Sequence, residues 1–198
     1  PEPEKNIHEV RRFFAATVGA IKAWGKEPAW TEPTKDLGLK LITRHTAGAK
    51  NLIEKFNIPE KFALIAPIAR GVHHGKIKHW THINCVVKPL RELGIEPIVL
   101  PSPDEAADAK VACPDATHLP PTNLGTYAAL CKEAQLVIAN DSGISHVAAA
   151  VGARQITLVG VTDPNRTGPW NPNAIVLGEE NRWPTEEEVI NKIKEIFK

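Results

Sequence analysis

The sequence is poor in sulfur-containing residues: its 198 residues include no methionine and three cysteines. The cysteines are Cys85, Cys113 and Cys131, an odd number without CxxC spacing, so we expect buried thiols in a reducing compartment rather than a disulfide framework. No apolar run approaches the roughly 20 residues of a membrane-spanning helix, and no basic-then-apolar secretion signal stands at the start. These absences predict a soluble, cytoplasmic protein.

The sequence also lacks a strong charge of either sign. Its net charge is +1 and no basic tract stands out, which argues against a nucleic-acid partner held through its phosphates. Its length allows one large domain or one and a half. Because the chain begins with Pro1 and has no methionine, we expect either a portion of a longer protein or a sequence that has lost its methionines.

Apolar runs alternate with segments of helical spacing along most of the chain. Strands are predicted at residues 62–67, 96–100, 136–139, 156–159 and 174–177, with a short segment at 117–119. Helices are predicted at residues 46–56, 79–93, 104–112, 124–133, 145–151 and 185–197, and residues 7–24 have roughly helical spacing. This alternation predicts a Rossmann-like α/β fold, with a parallel sheet and helices on both faces.

Three segments are expected to be irregular. Pro89 lies in the middle of the helix predicted at residues 79–93, where proline costs about 3 kcal/mol, so we expect a kink or a gap in the sequence there. Residues 68–78 and 160–169 are rich in glycine, proline and polar residues and are predicted as loops.

Residues 136–170 read LVIANDSGISHVAAAVGARQITLVGVTDPNRTGPW and form the centre of the pattern. An apolar strand is followed by the turn residues Asn140-Asp141-Ser142-Gly143, an alanine-rich helix and a second apolar strand, which together make a βαβ unit. Open α/β sheets bind ligands at the carboxyl ends of their strands, and a helix N-terminus there offers free N–H groups to a phosphate. The sequence therefore predicts an anion site at the turn.

Three motifs in this order resemble glycosyltransferase family 9, the bacterial lipopolysaccharide heptosyltransferases. They are Lys78-His79-Trp80, NDSGISHVAAA and GVTDPNRTGPW, and the resemblance runs from about Phe62 to Gly178. It implies the donor-binding half of a two-domain B-type glycosyltransferase fold. The expected division is then a connector with residual helices of the first domain at residues 1–60, the Rossmann-like donor domain at 61–180 and a C-terminal helix at 181–198.

The resemblance also implies an activity. A heptose would be transferred, with inversion, from an ADP-heptose donor to the lipopolysaccharide inner core. The reaction would take place at the inner face of the inner membrane, with peripheral membrane association. No cofactor and no metal are implied, because a lysine and a helix N-terminus take over the work of a cation. The catalytic base is expected in the first domain, so this chain alone would bind donor without transferring sugar.

Lys78 ends a glycine-containing loop directly before a predicted helix. Its ammonium group is a mobile cation able to stabilise a departing diphosphate, the role that the resemblance implies for it. The alternative is an ordinary solvated lysine. A nucleotide- or sugar-binding module without activity, that is, a degenerate homologue, is the competing function, because residues 71–78 depart from the family form by carrying two histidines and Gly75.

A second candidate cluster contains Asp141, Gly143, Ile144 and His146. Gly143 permits close approach of a phosphate to the backbone, and Asp141 can accept hydrogen bonds from sugar hydroxyls or merely cap the helix. His146 can donate to a phosphate or a backbone carbonyl, or be structural. A Ser-His-Asp nucleophile made of Asp141, Ser142 and His146 is disfavoured, because residues so close together at a helix start do not easily adopt triad geometry.

Four more residues are donor-binding candidates. Glu105 follows a strand end, where the resemblance implies a carboxylate on the nucleotide ribose; the alternative is a surface residue that complements a helix dipole. Thr122 aligns by position with the lining of the base pocket. Thr162 and Asp163 match the family's loop after a strand and are expected to shape the sugar pocket, although a rigid turn would look the same.

The histidines His73, His74, His79 and His82 suggest a metal site, since imidazole is a common metal ligand. His79 and His82 would share a helix face. However, no cysteine or acidic residue lies at companion spacing, so the sequence favours a surface cluster and no metal.

Overall fold

The computed structural model describes residues 7–198. In chain order its helices and strands are α1 (Glu9–Ala23), α2 (Thr43–Lys55), β1 (Phe62–Ala66), β2 (Val72–His73), β3 (Lys76–Ile77), α3 (Val87–Glu92), β4 (Glu96–Val99), α4 (Ala106–Ala112), β5 (Thr117–His118), α5 (Leu124–Glu133), β6 (Leu136–Asn140), α6 (Gly143–Ala150), β7 (Gln155–Leu158), α7 (Pro164–Thr167), β8 (Ala174–Leu177) and α8 (Glu186–Ile196). Short 3₁₀ helices precede α3 and α4.

Six strands form one parallel sheet in the order β5-β4-β1-β6-β7-β8, and β2 and β3 form a separate antiparallel hairpin. In the centre of the sheet Ala63 of β1 is paired with Leu136 of β6, and Leu64 of β1 with Ile98 of β4. The chain therefore builds outwards from β1 to β4 and β5, then returns to place β6 on the other side of β1. The carboxyl ends of β1 and β6 thus flank a topological switch point, the usual ligand position in such sheets.

Helices cover both faces of this sheet. One apolar cluster joins Ile65, Ile138 and Ile156 of the strands to α3, α4 and α8, and the other joins Leu64 and Val137 to α2, α5 and α6. The central strands β1 and β6 are buried on both faces, as their continuous apolar runs indicate. The predicted Rossmann-like parallel fold is confirmed.

The predicted helix at residues 79–93 is wrong in its extent. A 3₁₀ helix occupies Ile83–Val86, and α3 begins only at Val87. Pro89 therefore lies in the first turn of α3, where an N–H has no partner within the helix, so proline removes no hydrogen bond and needs no kink.

The two predicted loops contain regular structure as well. Residues 68–78 include the hairpin of β2 and β3, with His74 (φ 48°) and Gly75 (φ 78°) in left-handed conformations at its turn. Residues 160–169 include α7, which begins with Pro164 at its first position. Both pieces are too short for hydrophobic periodicity to reveal them.

The N-terminal helices differ in how they pack. Helix α2 lies closely on α5, where a Cβ on Gly125 would stand 2.4 Å from the His45 ring and a Cβ on Gly48 would stand 2.6 Å from Thr126 Oγ1. Helix α1 has no buried residue, and the ring of Phe13 is 71% exposed. The division into connector, donor domain and C-terminal helix stays a prediction.

The three cysteines are free thiols. Burial raises the pKa of Cys85 and of Cys131 to about 12 and that of Cys113 to about 11, so all three are protonated at neutral pH. Within residues 7–198 no helix has both the length and the apolar character that crossing a membrane requires.

Candidate functional site

A buried ion pair lies at the switch point of the sheet. The Lys78 Nζ atom is 2.7 Å from Asp141 Oδ2, and the Thr162 hydroxyl donates to the same oxygen at 2.6 Å. Asp141 directly follows β6 and is 4% exposed, whereas Lys78, which follows the hairpin, is 21% exposed. The structure thus brings together three residues that are distant in sequence, and the lysine is the more accessible member.

Asn140 connects the loops around this pair through side-chain hydrogen bonds, a role that sequence reasoning missed. Its side chain is fully buried, donates to the Pro67 carbonyl at 2.7 Å and accepts from the Trp80 amide at 3.0 Å. These bonds join the end of β6 to the end of β1 and to the segment that follows Lys78. The signal in the sequence is a polar residue at the end of an apolar strand, although a turn residue gives the same pattern.

The first turn of α6 borders the ion pair and has no side-chain cap. Ser142 is the N-cap residue, yet no side chain bonds the first N–H groups, and the Ser142 hydroxyl is buried without a partner among residues 7–198. The idea that Asp141 caps this helix is therefore wrong, because its carboxylate is directed to Lys78 and Thr162. The disfavoured Ser-His-Asp arrangement does not form either, since nothing accepts the Ser142 proton.

Gly143 begins α6 and faces open space. A Cβ at this position would meet no atom within 4 Å, and the backbone is not in the left-handed region. Neither packing nor conformation of the chain requires glycine here. The start of α6 therefore has open space beside the Gly143 backbone, which gives a ligand room to approach it closely.

His146 lies one turn further along α6. Burial lowers the pKa of its imidazole, the carboxylate of Asp141 opposes this effect, and the positive charge of Lys78 lowers the pKa further. The ring is therefore neutral at neutral pH, and one of its nitrogens is a donor.

A cavity of about 230 Å³ opens beside the start of α6, at the carboxyl ends of β1 and β4. Its wall includes three of the predicted donor-binding residues, Glu105, Thr122 and Ile144. Glu105 accepts from the Ser102 hydroxyl at 2.8 Å, so its carboxylate is oriented at the cavity wall. The rest of the lining is mostly apolar: Ala66, Pro67, Ile68, Leu100, Pro101, Ala109, Leu124 and Tyr127.

Asp163 lies next to Thr162 in sequence but has a different environment. Its carboxylate accepts from the Asn165 amide at 2.9 Å and thereby caps α7. Gly168 closes this turn, where a Cβ would stand 2.5 Å from the Pro164 carbonyl oxygen. The structure therefore gives Asp163 the role of a turn residue, and it forms no hydrogen bond to the ion pair.

The start of α1 reaches the same loop, which the sequence did not indicate. His8 Nε2 is 3.1 Å from the Gly168 carbonyl oxygen, and the carboxylate of Glu9 is 3.0 Å from a terminal nitrogen of Arg166. The His8 ring also lies 4.6 Å from that of Trp170, measured between centroids. These contacts hold the loop after β7 in place, beside Thr162.

The four histidines His73, His74, His79 and His82, for which the sequence favoured a surface cluster over a metal site, make different contacts. The rings of His73 and His74 meet edge to face with centroids 4.2 Å apart, while His82 Nδ1 is 2.8 Å from Glu186 Oε1. Burial lowers the pKa of His79. In the described part of the chain, no three His, Cys, Asp or Glu side chains are grouped to hold a metal ion.

Fold and site together define a class: a Rossmann-like α/β domain whose ion pair, uncapped helix start and cavity meet at the carboxyl edge of its sheet. The chain belongs to glycosyltransferase family 9 (heptosyltransferase), whose family model matches residues 2–196. It is 27% identical over 148 residues to lipopolysaccharide heptosyltransferase 3 of Escherichia coli, covering 69% of this chain and 42% of that protein. The family assignment made from the three motifs is confirmed.

Solved structures share the fold. A family 9 glycosyltransferase of Veillonella parvula has a TM-score of 0.77 at 18% identity and covers 98% of this chain and 61% of its own. An E. coli heptosyltransferase solved with ADP has a TM-score of 0.67 at 24% identity, covering 98% and 58%. ADP-heptose lps heptosyltransferase II of E. coli has a TM-score of 0.65 at 19% identity, and the match covers 86% of this chain and 55% of that protein. The chain thus spans 42% to 61% of the length of these relatives.

Proposed function

We propose that this chain is the donor-binding part of a glycosyltransferase that transfers heptose, with inversion, from an ADP-linked donor to the lipopolysaccharide inner core. Family membership supports the reaction class. The choice of ADP and of the acceptor draws on the names of relatives, one of them a lipopolysaccharide heptosyltransferase and another solved with ADP.

The observation that carries the proposal is the Lys78–Asp141 pair beside the uncapped start of α6. Loss of a nucleoside diphosphate builds negative charge on the leaving phosphate. An ammonium group and a helix N-terminus, both at the switch point, supply positive charge there. Lys78 would move from Asp141 to the diphosphate, and the released carboxylate would accept hydrogen bonds from the sugar hydroxyls.

The same arrangement supports a reaction without a metal or other cofactor, because Lys78 and the helix dipole provide the positive charge. The cavity beside α6 would take the nucleoside, with the ribose hydroxyls on Glu105 and the base near Thr122 and Ile144. Thr162 would keep Asp141 oriented, and Asp163 would shape the sugar pocket through the α7 turn. The acceptor hydroxyl needs a general base, which we assign to the part of the protein outside this chain.

Peripheral association with the inner membrane is the part of the proposal that brings the enzyme to its acceptor. Phe13, Trp24 and Trp30 are 71%, 76% and 69% exposed, and Lys22 and Lys26 lie among them in sequence. Aromatic side chains with neighbouring lysines suit an anionic bilayer surface. We expect the chain to sediment with anionic vesicles, and the triple variant F13S/W24S/W30S to stay in solution; equal sedimentation of both would contradict this surface.

The nucleotide preference of the site is tested by calorimetric titration of the chain with ADP, UDP and GDP in the presence of a chelator. We expect ADP to bind most tightly without a metal. The Gly143→Ala variant should weaken ADP binding by at least about tenfold, because its methyl group fills the space at the helix start where the diphosphate would lie. Its stability should be unchanged or higher, since no protein atom obstructs that methyl group and alanine favours helix.

Gly19→Ala is the matched control, because Gly19 lies in α1 and also has no atom within 4 Å of a Cβ. It should leave ADP affinity unaltered. A Gly143→Ala chain that binds ADP like the wild type would remove the helix start from the proposed site. A preference for UDP or GDP would keep the fold and exclude an ADP-linked donor.

A further inference from the structure

Another cavity, of about 290 Å³, opens between the segment that follows the hairpin and the start of α8. Residues 80–82 form one wall and residues 183–186 form the other. The first segment lies between β1 and α3 and the second between β8 and α8, so both leave the parallel sheet at its carboxyl edge. This is the edge that carries the site, yet none of the proposed donor contacts uses the cavity.

The cavity lies close to the Lys78–Asp141 ion pair. Thr81 is three residues beyond Lys78, so the Cα atoms of the two are at most about 11 Å apart. Asn140, which directly precedes Asp141, accepts from the Trp80 amide at 3.0 Å and so fixes this wall relative to the carboxylate. The separation is comparable to the length of a disaccharide, so adjoining sugar units can reach both places.

Trp183 gives the cavity an aromatic surface in a fixed position. A Cβ on Gly160 would stand 2.0 Å from Trp183 Cδ2, so the indole lies where any side chain at position 160 would be. Trp183 is partly exposed, whereas Trp80 is only 3% exposed, so Trp183 presents the aromatic surface that a ligand can reach. A flat apolar ring of this kind suits the C–H groups of a sugar ring.

His82 and Glu186 add a pair of polar groups to the same cavity. His82 Nδ1 is 2.8 Å from Glu186 Oε1, and the two side chains are 59% and 51% exposed. This contact orients both groups, while His82 Nε2 and Glu186 Oε2 form no hydrogen bond within residues 7–198. Each group thus keeps a second polar atom for a hydroxyl, which can both donate and accept.

We propose that this cavity binds a sugar unit of the acceptor, with the sugar ring on Trp183 and its hydroxyls on His82 and Glu186. This inference deepens the proposed function and rests on it, since it requires a saccharide acceptor. The donor sugar is the other saccharide of the reaction, but the proposed function places it at Asp141.

The test is an NMR titration of the isotope-labelled chain with the core oligosaccharide of lipopolysaccharide, freed of its lipid. The indole N–H signal of Trp183 should shift. The signals of Trp24 and Trp30 should not, because these residues are 76% and 69% exposed but lie outside the cavity. They are internal controls for unspecific contact of sugar with exposed indoles.

The Glu186→Gln variant should bind the oligosaccharide roughly tenfold more weakly, as the loss of a charge-assisted hydrogen bond implies. Glu187→Gln is the matched control and should keep the wild-type affinity. It removes the same charge from the same first turn of α8, but Glu187 does not line the cavity. Neither variant should alter ADP binding, since neither residue lies at the ion pair or at the cavity beside α6.

A shift at Trp24 and Trp30 without one at Trp183, or no shift at all, would overturn the inference. So would equal weakening by the two glutamate variants, since charge alone would then matter. ADP-glucose represents the donor: if it shifts Trp183 and the oligosaccharide does not, the assignment to the acceptor is wrong. A wild-type chain that binds no ADP refutes the proposed function, whereas ADP binding without an oligosaccharide shift at Trp183 refutes this inference alone.

Discussion

Replacing Lys78 with alanine is expected to weaken ADP binding by roughly 10- to 100-fold, as the loss of a charge-assisted bond in a partly enclosed site implies. The variant should also be less stable by about 2 kcal/mol. Asp141 is 4% exposed, so removal of its partner at 2.7 Å leaves a nearly buried carboxylate with only the Thr162 hydroxyl. Calorimetric titration and urea denaturation measure the two effects separately.

The double variant Lys78→Ala/Asp141→Asn separates the lysine's two roles. Asparagine keeps an oxygen for Thr162 but carries no charge, so stability should return towards that of the wild type while ADP binding stays weak. If the double variant recovers ADP binding too, Lys78 acts only by neutralising Asp141 and does not contact the diphosphate. A Lys78→Ala chain with wild-type affinity and stability would contradict both roles.

Replacing Gly178 with alanine is expected to cost at least about 3 kcal/mol of folding stability, because strain and overlap add. Gly178 follows β8 with φ +88°, and a Cβ there would stand 1.9 Å from the Val159 carbonyl oxygen and 2.8 Å from Pro184 Cδ. The Val159 carbonyl belongs to the backbone at the end of β7 and cannot rotate away as a side chain would. The urea midpoint of the variant measures this loss.

Gly152→Ala is the matched comparison, because Gly152 has φ +72° but no atom within 4 Å of a Cβ. It carries the conformational strain alone, which costs about 1 kcal/mol. Equal losses at the two positions would mean that the backbone around Gly178 relaxes freely. This difference in stability bears on the site, because Val159 belongs to the same segment after β7 as Thr162.

Local sequence signals were sufficient to predict most strands of the sheet and most of its helices. Helix α5 and strand β8 have the predicted limits, because an Asn cap and an isolated apolar run mark them. The predicted start of the last helix is confirmed by a capping box between Thr185 and Glu188. By contrast, Pro89 was placed in the interior of a helix, because a sequence pattern does not show that residues 83–86 are wound as a 3₁₀ helix before α3.

The sequence by itself determined the alternation of strand and helix, the family, and the polar residues at the strand ends, because these depend on contacts between near neighbours and on motifs. Only the tertiary structure decided that Lys78 meets Asp141. That pairing follows from the strand order of the sheet, in which β6 lies directly beside β1 although β4 and β5 come between them in sequence. The cavity beside α6 was likewise decided by the tertiary structure, because its lining residues, among them Glu105, Thr122 and Ile144, come from segments that are distant in sequence.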